Sequence, residues 1–352
     1  MPKHILLPTF YNEDEKQLLE GTSLEAALAS KLNSLDREFT YLREKTTSIL
    51  WCRQYWWDTE TGQLTIEDWR YVDAIYRSRA LDFPGVGHAT VPCIDMANHA
   101  IGDATVALYE TDVDGNAVLL LRELKAVDVD EEITITYGDE KGACEMLFSY
   151  GFIEEGSSTA REMFLDIDIP EDDPLGLAKR RASKAPPGFK LCSLDGHVRW
   201  KGPLVWLLCI NEEDGLEFKV AQSNDGTTEL QMLFKDEVLT DASGLSDLLR
   251  KEALWDVFQL RATAMVQSRV EQQLERLQAS TRRVQKAQEH GEIHSEIEGY
   301  AIELRDLEEA LMHAAYECLE TTKKSLLEST VVQRYLGAVP EPPPEADEDD
   351  FA

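Results

Sequence analysis

The stretch "VPCIDMANHA", residues 91–100, places three hydrogen-bonding side chains, Asp95, Asn98 and His99, within five positions, just after the apolar Val91 and Ile94. It reads as the end of a buried strand running into polar residues. Pro92 has no N–H to give a ladder and excludes a central strand at its own position. Taken alone, the polar residues fit an Asx-rich turn in which Asp95 and Asn98 satisfy nearby backbone N–H groups. A segment facing a ligand would use the same residue types, so the choice between the two rests on the rest of the chain.

Upstream, residues 12–80 have a helical texture. Leu24, Ala27, Leu28, Leu32 and Leu35 recur at helical spacing. Thr22 or Ser23, followed by Glu25, offers an N-cap with early negative charge, and Gly21 breaks the segment before it. A second helix is predicted from Ile66 through Tyr76. The intervening "WCRQYWW", residues 51–57, could form a base-stacking platform, but in so acidic a chain it is expected to be the core of these helices.

Downstream the pattern changes to strands and turns. "TVALYE" and "AVLLLRE" flank Asp114-Gly115, a hairpin signal. "EEITITYGD" alternates Ile133, Ile135 and Tyr137 against Thr134 and Thr136, which predicts one buried face. "CEMLFSYGF" reads as a short helix and a turn at Tyr150-Gly151. Residues 160–245 are mixed, with a strand at "MFLDIDI" and a helix within "DPLGLAKRRASK". After about Ser246 two apolar stripes appear, Val266, Val270, Leu274, Leu277 and Val284, then Ile293, Ile297, Tyr300, Leu304, Leu307 and Leu311. With "EHGEIH" between them, they predict two long helices packed antiparallel through heptad-like seams. "PEPPPEADEDDFA" at the end is proline-rich and acidic and is expected to be disordered.

The chain has 352 residues, 43% of them hydrophobic, enough for a proper core. Its net charge of −32 argues against binding a phosphate backbone and suits a basic protein partner or substrate. Six widely spaced cysteines, with no C-x-x-C pair, argue against a zinc site or a disulfide framework. No apolar run reaches the length of a membrane span, and "MPKHILLPTF" lacks the pattern of a signal peptide. The expected location is the cytoplasm, with the nucleus as a second compartment.

Three short stretches now combine: "SRA" at 78–80, "CIDMANH" at 93–99 and "EEITITYGDEKGACEMLFSYGF" at 131–152. In this order and spacing they resemble the SET-domain protein lysine methyltransferases, in the branch named after the plant Rubisco large-subunit methyltransferase. The resemblance implies an α+β SET fold of small twisted β-sheets with a helical insertion, followed by a mostly α-helical substrate-binding domain. It places the SET domain at 1–155 with the insertion at about 12–80, the second domain at 156–338 and an acidic tail at 339–352.

The same resemblance implies S-adenosylmethionine as cofactor and no metal. Arg79, Asp95, Met96, Asn98 and His99 would bind the cofactor, with Asn98 and His99 at its adenine end. Tyr137 would be the catalytic tyrosine, and Ser78, Tyr150 and Phe152 would wall the channel that admits a lysine. Asn98 is expected to be buried with its amide fully paired. The implied function is protein-lysine N-methyltransferase acting on a non-histone protein, because the cysteine cluster of many histone-directed members is missing. A basic protein substrate, a monomer, and no nucleic-acid or membrane partner complete the expectation. Histidine methylation is an open variant, since channel shape decides it. The alternative of another class is a catalytically weakened SET-fold protein that binds a basic partner. Two departures are expected to weaken cofactor binding: the family's Gly-rich strand-turn has no counterpart before residue 12, and Ala143 stands where relatives carry an Asn.

Overall fold

A computed structural model describes residues 5–58, 60, 63–184, 187–194, 196–222 and 228–337. The acidic tail expected at 339–352 lies outside them. The chain forms two compact units, residues 1–161 with 280–307 and residues 162–279 with 308–352. The tips of the two long helices, residues 280–307, belong to the first unit.

In the first unit the helical texture becomes α1 (Glu13–Leu18), α2 (Ser23–Thr46), α3 (Leu50–Tyr55) and α4 (Ile66–Arg79). Asn12 opens α1 with a reciprocal capping box to Glu15, and Thr65 opens α4 with one to Asp68. The cap expected at Thr22 is different: its hydroxyl donates back to the Leu19 carbonyl at 2.6 Å, and Glu25 instead accepts from the Gly21 N–H at 2.8 Å. The tryptophan cluster is only partly core. Trp57 is buried against Phe39, at a 5.8 Å ring separation, whereas Trp51 is 56% exposed beside Tyr55, on the outer surface of the insertion. A helix as short as α3 can turn only part of such a dense aromatic run inward.

The sheets are small. β1 (Leu81–Phe83) pairs with β2 (Gly87–Ala89), and β4 (Ala107–Thr111) with β5 (Ala117–Leu121) across the predicted Asp114-Gly115 turn. β3 (Asn98–His99) and β6 (Thr134–Ile135) pair parallel. The apolar segment before Asp95 is not a strand: β2 stops at Ala89, Cys93 takes a φ of +74°, and residues 94–96 form a 3₁₀ turn. Of the alternating "EEITITYGD", only Thr134 and Ile135 pair. Ile135 is buried among Phe83, Ile94 and Ala107, while Ile133 faces outward, because the ladder is too short to cover it. α5 (Ala143–Tyr150) ends at Gly151, whose φ of +83° forms the left-handed C-cap. The helical tips close the unit. Asn12 donates to the Glu292 carbonyl at 2.7 Å, the Ser280 hydroxyl to the Glu20 carbonyl at 2.8 Å, and Arg305 to Ser280 at 2.9 Å.

In the second unit β7 (Glu162–Asp166), β8 (Gly188–Leu194) and β9 (His197–Lys201) make one antiparallel sheet. β10 (Leu216–Gln222), β11 (Thr228–Phe234) and β12 (Glu237–Leu239) make another. α6 (Gly176–Ala182), α7 (Pro203–Leu208), α8 (Leu245–Leu249) and α11 (Thr330–Tyr335) surround them. The long helices are α9 (Trp255–His290) and α10 (Ser295–Leu327). Their polar pairs run in opposite directions, Gln267 with Glu320, Gln278 with Glu309, Arg305 with Ser280 and Gln288 with Glu298, so they are antiparallel as the two stripes predict. Val266, Val270, Leu304 and Leu311 along the stripes are fully buried. Among the described residues no helix is long and apolar enough to cross a membrane.

Candidate functional site

Three elements of the first unit converge on one cavity of about 330 Å³: the last turn of α4, the segment 95–99, and the chain around Tyr137 and Tyr150 to Phe152. Ile5, Leu6 and Leu7 form the fourth wall. The parallel pairing of β3 with β6 brings the first two motifs together. It sets Asn98 opposite Thr134 and His99 opposite Ile135, two residues before Tyr137. Arg79 then ties the end of α4 to this crossing, donating to the Asp95 carbonyl at 3.0 Å.

Tyr137 sits at the junction. Its hydroxyl donates to the Ala97 carbonyl at 2.9 Å, and its N–H donates to His99 Nδ1 at 3.0 Å. Its ring lies 4.5 Å from that of Tyr150 and 5.1 Å from that of His99, with Phe152 at 6.4 Å. Burial first, then the neighbouring Tyr150, pushes the Tyr137 phenol upward, with Arg79 opposing. Burial pushes Tyr150 up to about 12. Both phenols are therefore neutral at physiological pH and serve as hydrogen-bonding and aromatic groups, not as bases.

Behind the cavity wall is a buried support that the sequence did not reveal. His99 is 4% exposed at its side chain and Glu154 6%. Because His99 Nδ1 accepts from the Tyr137 N–H, the ring proton lies on Nε2, which donates to Glu154 at 2.8 Å. The other carboxylate oxygen of Glu154 pairs with Arg161 at 2.7 Å, and Arg161 donates to the Asp139 carbonyl at 3.0 Å. Glu154 thus braces Tyr137 from both sides, through His99 and through the loop that follows Gly138. Nothing in "GFIEEG" marks Glu154 rather than Glu155 for this place. Only the fold selects it.

Eight of the nine residues singled out from the sequence line this one cavity: Ser78, Arg79, Asp95, Met96, Asn98, Tyr137, Tyr150 and Phe152. His99 does not line it; its ring is turned into the support just described. Asn98 is exposed, contrary to the expectation of a buried amide. It stands on the rim of an open cavity and donates to the exposed side of Glu132. Met96 is 70% exposed on the same rim. The Ser78 hydroxyl donates to the Ala74 carbonyl of its own helix at 2.8 Å. The sequence also missed the contribution of Ile5 to Leu7, plain aliphatics that carry no motif.

No family model matches the chain. It is 32% identical over 223 residues to SET domain-containing protein 8 of Schizosaccharomyces pombe, covering 62% of this chain and 48% of that protein. It is 28% identical over 182 residues to the chloroplastic [fructose-bisphosphate aldolase]-lysine N-methyltransferase of Arabidopsis thaliana, covering 49% of this chain and 36% of that protein. Among solved structures, Rubisco LSMT bound to AdoMet superimposes with a TM-score of 0.64 at 18% identity, over 97% of this chain and 74% of that one. The chain is similar in sequence to SET-domain proteins and shares the fold of the Rubisco LSMT structures. Its α+β architecture is that of the LSMT structures, including the SET domain of LSMT bound to lysine and AdoHcy, at a TM-score of 0.64 and 19% identity. The chain spans half or less of the length of the curated relatives it matches.

Proposed function

We propose that the chain is an S-adenosylmethionine-dependent protein-lysine N-methyltransferase, with Tyr137 as the residue that orients the acceptor amine. The observation that carries this is the Tyr137 constellation: a neutral phenol, fixed at its hydroxyl and its backbone, in ring contact with Tyr150 and opening onto a cavity lined by Arg79, Asp95 and Asn98. That lining fits the cofactor chemically. Asn98 offers both a donor and an acceptor for a base edge, Asp95 a carboxylate for hydroxyl or ammonium groups, and Arg79 a cation for a carboxylate. The rings of Tyr150 and Phe152 offer apolar faces, which also attract a cation. When bound, S-adenosylmethionine supplies a methyl group on a cationic sulfonium.

The residues of the chain supply position and dryness. The Tyr137 hydroxyl spends its proton on the Ala97 carbonyl, so its oxygen is left to accept from an amine N–H. The aromatic walls disfavour a charged ammonium and so favour the neutral amine that can attack. Holding that amine in line is a positioning effect, and misplacement by about 1 Å can cost roughly 100-fold. Tyr137→Phe keeps the ring and removes the oxygen. It should lower radiolabelled methyl transfer to polylysine about 100-fold while leaving S-adenosylmethionine affinity within about twofold. A variant with full activity would refute the role of Tyr137.

The substrate in this reading is a basic, non-histone protein, as the charge of −32 favours. The helical second unit would dock it, the chain would act as a monomer, and the cytoplasm suits the reduced cysteines. The named relatives support lysine methylation as a class: the Arabidopsis relative is named for aldolase, the pea one for the Rubisco large subunit. A protein that has lost activity but keeps the fold is the second reading. Ala143 favours it, at the position where the resemblance implies a cofactor-contacting Asn.

A further inference from the structure

One cavity of the second unit, of about 380 Å³, plays no part in the site around Tyr137. Its wall is a stack of three indoles. Trp200 on β9 lies 5.3 Å from Trp206 on α7, and Trp206 lies 5.2 Å from Trp255 at the start of α9. The rings are spent on one another and on Arg250, whose Cζ lies 5.8 Å from the Trp255 ring, so they form a rigid backing. The chemistry left open in the cavity is polar. Trp255, Gln259 and Thr263 recur at four-residue steps, so one face of α9 lines it. Thr263 is only 4% exposed, yet among the described residues its hydroxyl makes no hydrogen bond. Thr321 and Thr322 on α10 show the ordinary alternative, each donating to the carbonyl four residues back at 2.9 Å. A buried hydroxyl left unpaired is costly unless something fills its place. The Gln259 amide, the Ser246 hydroxyl and the Lys201 ammonium on the same lining also have no side-chain partner among the described residues. Lys190, directly across the ladder from Lys201, is paired with Glu162 at 2.9 Å. Arg250 has only a loose pair at 3.9 Å with the exposed Asp247. Asp241 stands beside the lining, held by the Ser243 N–H at 2.7 Å. No carboxylate lines the cavity among the described residues, in a chain with 67 acidic residues against 35 Lys and Arg.

We infer that this cavity binds a phosphate monoester. Three elements bring unspent donors to it. The end of β9 gives an ammonium, α8 and the residue that caps it give a hydroxyl and a guanidinium, and α9 gives an amide and a buried hydroxyl. Arg and Lys joined by hydroxyl donors are the groups that hold phosphate. A phosphate monoester answers them with nearly two negative charges and three strong acceptor oxygens. A carboxylate brings one charge and two oxygens, and would leave part of this set unpaired. The volume is that of a small-ligand pocket, with room for the group that carries the phosphate. That carrier is a phosphorylated side chain of a docked protein or a free phosphorylated small molecule, and the recognition chemistry is the same for both. The inference does not depend on the reaction at Tyr137.

The test uses the full chain labelled with 5-fluorotryptophan. Its fluorine signals divide by place: Trp200, Trp206 and Trp255 stand at this cavity, and Trp51, Trp56, Trp57 and Trp69 belong to the first unit. Phenyl phosphate at millimolar concentration should shift the first set saturably and leave the second in place. Lys201→Gln with Arg250→Gln, at two exposed side chains, should weaken that binding about tenfold or more. Thr263→Val separates binding from folding. Its hydroxyl bonds nothing within the described chain, so the melting temperature should hold or rise while affinity falls about threefold or more. A neutral peptide carrying one phosphoserine then identifies the source. Tighter binding than phenyl phosphate, lost without the phosphate, supports a docked phosphoprotein; weaker binding supports a free small molecule. Phenylacetate binding as tightly as phenyl phosphate, no shift of the three signals, or full affinity in either variant would overturn the inference.

Discussion

Tyr137 is constrained by two hydrogen bonds and a ring contact with Tyr150, and the least obvious support lies behind them, deeply buried. Glu154 touches neither the cavity nor Tyr137, yet it fixes the proton on His99 and the loop at Asp139. It is a positioning residue. Glu154→Ala would leave His99 Nε2–H without its acceptor and Arg161 without its partner, which costs about 1–3 kcal/mol for an unsatisfied buried group. Glu154→Gln keeps an oxygen for His99 and should recover most of that stability in urea denaturation. A merely structural role would affect stability alone. The brace predicts more: in Glu154→Ala the ¹⁵N shifts of His99 should change and kcat should fall further than KM rises. A variant with unchanged His99 shifts and an unchanged kcat would remove Glu154 from the account.

At the scale of elements, the junction of α5 with the next segment decides where Tyr150 and Phe152 point. Gly151 makes that turn at a φ of +83°, and a Cβ there would sit 3.1 Å from the Leu6 carbonyl oxygen. Gly151→Ala therefore adds left-handed strain, about 1–2 kcal/mol, to a close backbone contact. The melting temperature should drop by about 2–8 °C, and cofactor affinity should fall as Leu6 is pushed off the cavity wall. An unchanged melting temperature would contradict the close approach. The sequence marked this element plainly, because a Gly after an amphipathic turn is a local signal. It marked "SRA", "IDMANH" and "TYG" equally well as pieces of one site, since each carries a recognisable short motif. It misread their conformation. Ile94 and Asp95 lie in a 3₁₀ turn and Ile133 faces solvent, because the strands here are two or three residues long and periodicity needs more length to show. Glu154, Arg161 and the Leu6 backbone were invisible for another reason. Their places follow from chain crossings tens of residues apart, which no local pattern encodes.

At the scale of the whole molecule, the long helices carry the signal best. Their stripes run through both units, and the apolar spacing alone predicted the antiparallel pair. Residues 280–307, the tips of those helices, belong to the first unit although both neighbouring stretches of chain belong to the second. In the proposed enzyme the first unit holds the cavity for chemistry around Tyr137, and the helical second unit would dock the substrate. All of this depends on the cavity beside Tyr137 being a cofactor site. Calorimetric titration of the full chain with S-adenosylmethionine tests that most directly. Saturable binding of one molecule per chain, weakened at least tenfold by Arg79→Ala, is the predicted result; no measurable heat at millimolar cofactor, from a chain shown to be folded by circular dichroism, would contradict it.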